Sequence, residues 1–249
     1  MKQYFSIFAL SARSTLAKLM GIIVLMGIVQ TGLFYYAMKH NSYGILLEDV
    51  MTESFVHYAF VAGFAAYMAV LMEMFGGKQP TKAAMTTARL SVKESGVCWT
   101  MAIYNMCMIV VFLAAQLAIV LILCKMYMSS HLAGDYQHTI FIAFYRNGLM
   151  HGLLPLEDYW TYIENVIFVI CLGICASCTA KKQRRGKTDV TGAMAAVFVA
   201  VSFYNRADYY NNFTVGLIVI PLAAYAAYYI SKGGTLDEDE DETAGTGLA

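Results

Sequence analysis

The thirty residues Val97–Met126, VCWTMAIYNMCMIVVFLAAQLAIVLILCKM, decide the fold class. One charged residue, Lys125, stands near their end, and the polar residues before it, Tyr104, Asn105 and Gln116, are neutral. About 20 predominantly apolar residues cross a bilayer as a helix. This run is longer, so it is expected to tilt or to project beyond the hydrocarbon. A soluble core offers no place for it.

The rest of the chain repeats the pattern. Apolar runs are read at 19–38, 54–75, 97–126, 162–179, 192–204 and 213–230, giving an all-α polytopic membrane protein with about six transmembrane helices. Of its 249 residues, 59% are hydrophobic and 14% charged, against about 25% charged in an average soluble domain. The mean hydropathy is +0.56. The fifth run, GAMAAVFVAVSFY, is short for a crossing. The segment 139–156 is apolar, but Arg146, Asn147 and two glycines interrupt it; it reads as re-entrant or interfacial. The first run follows a long, weakly basic lead and has no small-residue cleavage site after it, so it reads as a retained anchor.

Charge sets the expected orientation. With the N-terminus in the cytoplasm, the inner segments hold thirteen basic residues: Lys2, Arg13, Lys18; Lys78, Lys82, Arg89, Lys93; Lys181, Lys182, Arg184, Arg185, Lys187; and Lys232. The outer segments keep four, Lys39, Lys125, Arg146 and Arg206. Positive residues favour the cytoplasmic side, so both termini are placed there. The domain reading is an interfacial amphipathic lead helix at 1–18, a membrane domain at 19–232 and a disordered acidic cytoplasmic tail at 233–249. A cytoplasmic extension of the first span is the other reading of the lead. The tail holds six consecutive acids, Asp237 to Glu242, a run that repels itself.

The chemistry of the membrane segments is sparse. No phosphate loop G-x-x-x-x-G-K-[ST], no H-E-x-x-H and no G-x-S-x-G is present, so no catalytic role and no ATP site are expected in this chain. Cys171, Cys175 and Cys178 share a helical face, yet read as small packing residues, with no closed metal-ligand set. Nothing points to nucleic acid. Ionisable residues, the usual markers of proton pathways, are nearly missing from the spans. Gln30, Tyr104, Asn105 and Gln116 are the candidate pathway residues, with interhelical hydrogen bonding as the plainer role for each.

Between the second and third runs lies a short basic segment, Thr81–Glu94, TKAAMTTARLSVKE. Ala83, Ala84 and Ala88 favour helix, and Pro80 and Thr81 suit a helix start. Six spans with both ends inside, an amphipathic lead and this loop resemble the permease subunits of ATP-binding-cassette transporters of the type-two export family. In that family the loop is a coupling helix that docks on a separate ATPase. The resemblance implies that Thr81, Lys82, Thr86, Arg89, Lys93 and Glu94 form the coupling loop, and that ATP and Mg reside on the partner ATPase. It also implies that permeases pair as homodimers or heterodimers in a bacterial plasma membrane. The long segment 127–161 and the short fifth run differ from the family pattern. A non-transporting scaffold or immunity-type membrane protein is the alternative from another class, and a membrane enzyme a third.

Overall fold

A computed structural model describes residues 2–40, 46–76, 94–130, 139–156, 159–185, 187, 189–204 and 209–232. Among them the secondary structure is helical throughout. The elements are α1 (Lys2–His40), α2 (Leu47–Glu53), α3 (Val56–Gly76), α4 (Glu94–Met128), α5 (Thr139–Arg146), α6 (Gly148–Leu153), α7 (Tyr159–Arg184), α8 (Thr191–Tyr204) and α9 (Tyr209–Lys232). Five helices, α1, α3, α4, α7 and α9, are long and apolar enough to cross a membrane; α8 is a shorter apolar helix. The chain is thus built as a helical protein of the membrane-embedded kind. The acidic tail lies outside the described residues.

Contacts fix the direction of each helix. Thr15 meets Tyr104 and Gly27 meets Ile119, so α1 and α4 run parallel. Tyr67 bonds to Met108 and Phe60 packs on Phe112, so α3 runs against α4. Ser177 bonds to Cys98, so α7 also runs against α4. Lys181 meets Tyr229, which brings the ends of α7 and α9 together. Gly192 abuts Thr179 and Met72, while Phe203 packs on Phe60, so α8 runs against α3 and α7. The six helices alternate in direction. The ends of α7 and α9 form a basic end with Lys181, Lys182, Arg184, Arg185 and Lys232; the other end carries α2, α5 and α6.

The lead does not turn away at Leu19. Residues 2–40 form one helix of 39 residues, about 58 Å long at 1.5 Å per residue. Ile7, Ser11 and Thr15 are buried, and Phe8 packs edge-on against Tyr104 at 5.3 Å. The lead therefore continues the helix of the first run along α4. Its opposite face exposes Leu25, Ile28, Tyr35 and Tyr36, which suits contact with lipid.

The apolar segment 139–156 divides into α5 and α6. Asn147 has extended backbone and caps α6, its side-chain oxygen accepting from the amides of Leu149 and Met150 at 3.1 and 3.3 Å. Arg146 reaches Glu48 of α2 at 3.0 Å. Between α2 and α3, Phe55 turns the chain with φ 55°, a left-handed conformation that costs about 1–3 kcal/mol in a non-glycine residue. The two helices α4 and α7 approach closely at Gly173, where an added Cβ would lie 2.5 Å from Met106 Cγ and 3.0 Å from the Ala102 carbonyl oxygen.

Candidate functional site

One face of α4 runs the length of the bundle interior and carries Tyr104, Met108, Phe112 and Gln116, a four-residue spacing that keeps side chains nearly in line. At the lower level, Thr15 donates to the Ser11 carbonyl, so its lone pair accepts the Tyr104 hydroxyl at 2.6 Å. One turn on, the Tyr67 hydroxyl donates to the Met108 carbonyl at 2.7 Å. Above this, Phe112 is enclosed by Phe60, Phe64 and Tyr67, with ring centroids at 5.9, 5.8 and 4.7 Å. These rings fill the middle of the bundle.

A second polar level stands beyond the aromatic one. Val56 and Gln116 are each one turn past the Phe60–Phe112 contact, in the same direction. The Gln30 amide donates to the Val56 carbonyl at 3.4 Å. Gln30 and Gln116 are both 0% exposed. Among the described residues, neither amide atom of Gln116 has a hydrogen-bond partner, nor does the Gln30 oxygen. Leaving such groups unpaired costs about 1–3 kcal/mol each, so this level carries a standing energetic penalty inside an otherwise apolar layer.

All four candidate pathway residues are thus interior. Gln30, Tyr104, Asn105 and Gln116 are buried, and Tyr104 and Gln30 are engaged with α1 and α3 partners rather than facing an opening. A groove of about 540 Å³ runs between α3 and α8, lined by Phe64, Met68, Ala196 and Ala200 among other apolar residues. None of the four lines it.

The basic end holds a second constellation. Asp189, just before α8, accepts from Thr191 at 2.6 Å and Lys182 at 3.1 Å through one oxygen, and from Thr179 at 3.0 Å through the other. Burial alone raises a carboxyl's pKa, but these hydrogen bonds and the lysine charge outweigh it, and Asp189 is held below the usual carboxylate value. The Thr179 hydroxyl also accepts from the Gly192 amide at 2.9 Å, which fixes the start of α8 on α7. Lys182 lies over the Tyr225 and Tyr229 rings at 4.9 Å each, and Lys181 donates to the Tyr229 carbonyl at 3.4 Å. One lysine pair therefore ties α7, α8 and α9 together.

Of the coupling-loop candidates, Thr81, Lys82, Thr86, Arg89 and Lys93 lie outside the described residues. Glu94 is the first residue of α4. Its carboxylate lies 2.7 Å from Arg185 and 3.7 Å from Arg184, so the start of α4 is clasped to the end of α7. Thr15, Tyr67, Thr179 and Asp189 carry interior or interhelical bonds that the sequence reading did not single out. An aspartate two residues before an apolar run is a helix-start signal, and it would have marked Asp189; nothing in the sequence pairs Thr15 with Tyr104. Among the described residues no three His, Cys, Asp or Glu side chains converge as a metal site. Comparison with protein-family models, with curated proteins and with solved structures yields no match.

Proposed function

We propose that the chain is the membrane permease subunit of an ATP-binding-cassette exporter, pairing with a second permease and with a separate ATPase that binds ATP and Mg. In this reading six helices cross a bacterial plasma membrane, with both termini in the cytoplasm. The thirteen-to-four distribution of basic residues supports the orientation. The alternating directions of α1, α3, α4, α7, α8 and α9 support the count.

One observation carries the coupling role. The segment Thr81–Glu94 runs directly into a single helix of 35 residues, and its last residue is ion-paired to α7. A helix is stiff along its axis, so a displacement at Glu94 is passed to the Tyr104 and Gln116 levels and, through Arg184 and Arg185, to α7. A loop that served only to place positive charge would need no such connection. The scaffold reading draws on a different observation, the ring-packed middle of the bundle at Phe112.

The two readings separate in one experiment. The tagged chain is isolated from its native membranes, with and without charge reversal at Lys82 and Arg89. Copurifying ATP hydrolysis that falls in the reversed variant, at equal membrane content, supports the permease. A complex without ATPase activity, unaffected by the reversal, sinks it.

A further inference from the structure

A carboxylate stands at one end of the groove between α3 and α8. On the α3 side Val61, Ala65 and Ala69 line the groove at four-residue spacing, a row that keeps to one helix face. Glu73 is the next member of that row. Helical side chains lean toward the N-terminus of their helix, so the Glu73 carboxylate leans over Ala69 toward the groove. Glu73 is exposed, and among the described residues its side chain forms no ion pair or hydrogen bond. The facing start of α8 does not answer it. Asp189, just before that helix, is matched by Lys182 at 3.1 Å, and the Gly192 amide donates to Thr179.

The groove itself is apolar. Of its twelve lining residues only Tyr58, at the far end, has a side-chain oxygen or nitrogen, and five are alanine. Those small side chains open the trough. From Glu73 back to Tyr58 is a stretch of about 22 Å along α3. The groove volume of about 540 Å³ falls among small-molecule sites, about 300–1,000 Å³. In a bilayer, apolar surface alone confers no preference, because lipid chains are as apolar as the lining. Selection therefore falls to the charge. A lipid phosphate beside Glu73 is repelled, and a cation is attracted, the more strongly the less water surrounds the pair.

We propose that the α3–α8 groove binds a lipophilic cation, its alkyl chain in the trough and its ammonium group against Glu73. The site is a binding site in its own right. It needs no ATPase and does not rest on the permease reading.

Photolabelling of the full-length chain in phosphatidylcholine nanodiscs tests this. The probe is a long-chain alkyltrimethylammonium with a diazirine at the end of its chain, and the control is the alcohol with the same chain and diazirine. Mass spectrometry compares labelling at the far end of the groove, Tyr58, Val61 and Val201, with labelling at the Leu25 and Ile28 face of α1. That ratio corrects for how much of each probe enters the bilayer. It should favour the cation by about fivefold, the upper end for a single exposed ion pair. Glu73→Gln, unchanged in size, should bring the cation down to the level of the alcohol. Ala65→Trp fills the trough from an exposed position and should remove groove labelling by both probes. The comparison of cation with alcohol uses the unaltered chain, so it stands even if a variant folds poorly. Equal ratios for the two probes overturn the proposal and leave a trough for lipid chains. Absence of groove labelling overturns it too, the result expected if a second copy covers the groove. A cation preference that survives Glu73→Gln, or labelling that survives Ala65→Trp, puts the cation somewhere else and sinks the site.

Discussion

Arg185, at the end of α7, places a guanidinium nitrogen 2.7 Å from the carboxylate of Glu94, the first residue of α4. The two residues are 91 positions apart, and between them pass a long ascending helix and a long descending one. The pair closes that hairpin at its open end.

Glu94→Gln tests what the closure is for. The pair is about one third exposed at the carboxylate, and pairs of that kind contribute about 0–1 kcal/mol. Thermal stability in detergent should hardly move. Partner-dependent ATP hydrolysis should fall several-fold if the clasp transmits force, and Glu94→Asp should recover part of it. Unchanged hydrolysis in Glu94→Gln would reduce the pair to a surface contact.

Gly173→Ala should destabilise the bundle by about 1–3 kcal/mol, the usual range for overpacking. Met106 can swing aside, but the Ala102 carbonyl, 3.0 Å from the new methyl, belongs to the α4 backbone and moves only with the helix. Thermal unfolding of the purified variant reads the effect. Met106→Ala should recover part of the loss; if it recovers all, the backbone clash is not the cause.

Asp189 makes stability depend on acid pH. Its carboxyl is held below the usual value in the folded chain, so its ionised form favours folding. That contribution is full above the ordinary carboxylate pKa of about 3.9 and is lost as pH falls through the lower folded value. The melting temperature should be level near neutrality and drop below about pH 4. Asp189→Asn should lower stability at neutral pH by about 2 kcal/mol, since it removes charge-assisted hydrogen bonds from the partly buried Lys182, and should flatten the acid limb.

Gln116→Leu should leave stability unchanged or raise it by about 1 kcal/mol, because it removes two buried polar atoms that have no partners among the described residues. A simultaneous loss of transport would show that the polar level is kept for function at the expense of stability. Loss of stability instead would mean that Gln116 has a bonding partner in the membrane.

The helices that were readable in the sequence are those with no competing solution. The run 97–126 lies inside α4, and the interrupted segment 139–156 became two short helices because Arg146 and Asn147 break it. The direction of α8 was not readable from fourteen residues; it follows from Gly192 and Phe203 touching opposite ends of α3. The candidate pathway residues were found as buried polar groups, yet their partners were not. Thr15 and Tyr104 are 89 positions apart, and a pairing of that kind is set by helix packing, not by local pattern. Asp189 was hidden among the basic residues of TAKKQRRGKTD.

The brevity of α8 has a mechanical consequence for the surrounding lipid. Fourteen residues span about 21 Å, whereas the hydrocarbon of a bilayer is about 30 Å thick. On the proposed six-span reading, the leaflets beside this helix would pinch inward or its ends would be wetted, at a fraction of a kcal/mol for each ångström of mismatch. The groove between α3 and α8 adjoins this helix, so the six-span reading implies a dimple in the bilayer along one flank. In short-chain phosphatidylcholine the dimple vanishes and the melting temperature should rise; in long-chain lipid it deepens, and the bilayer itself becomes a load on α8.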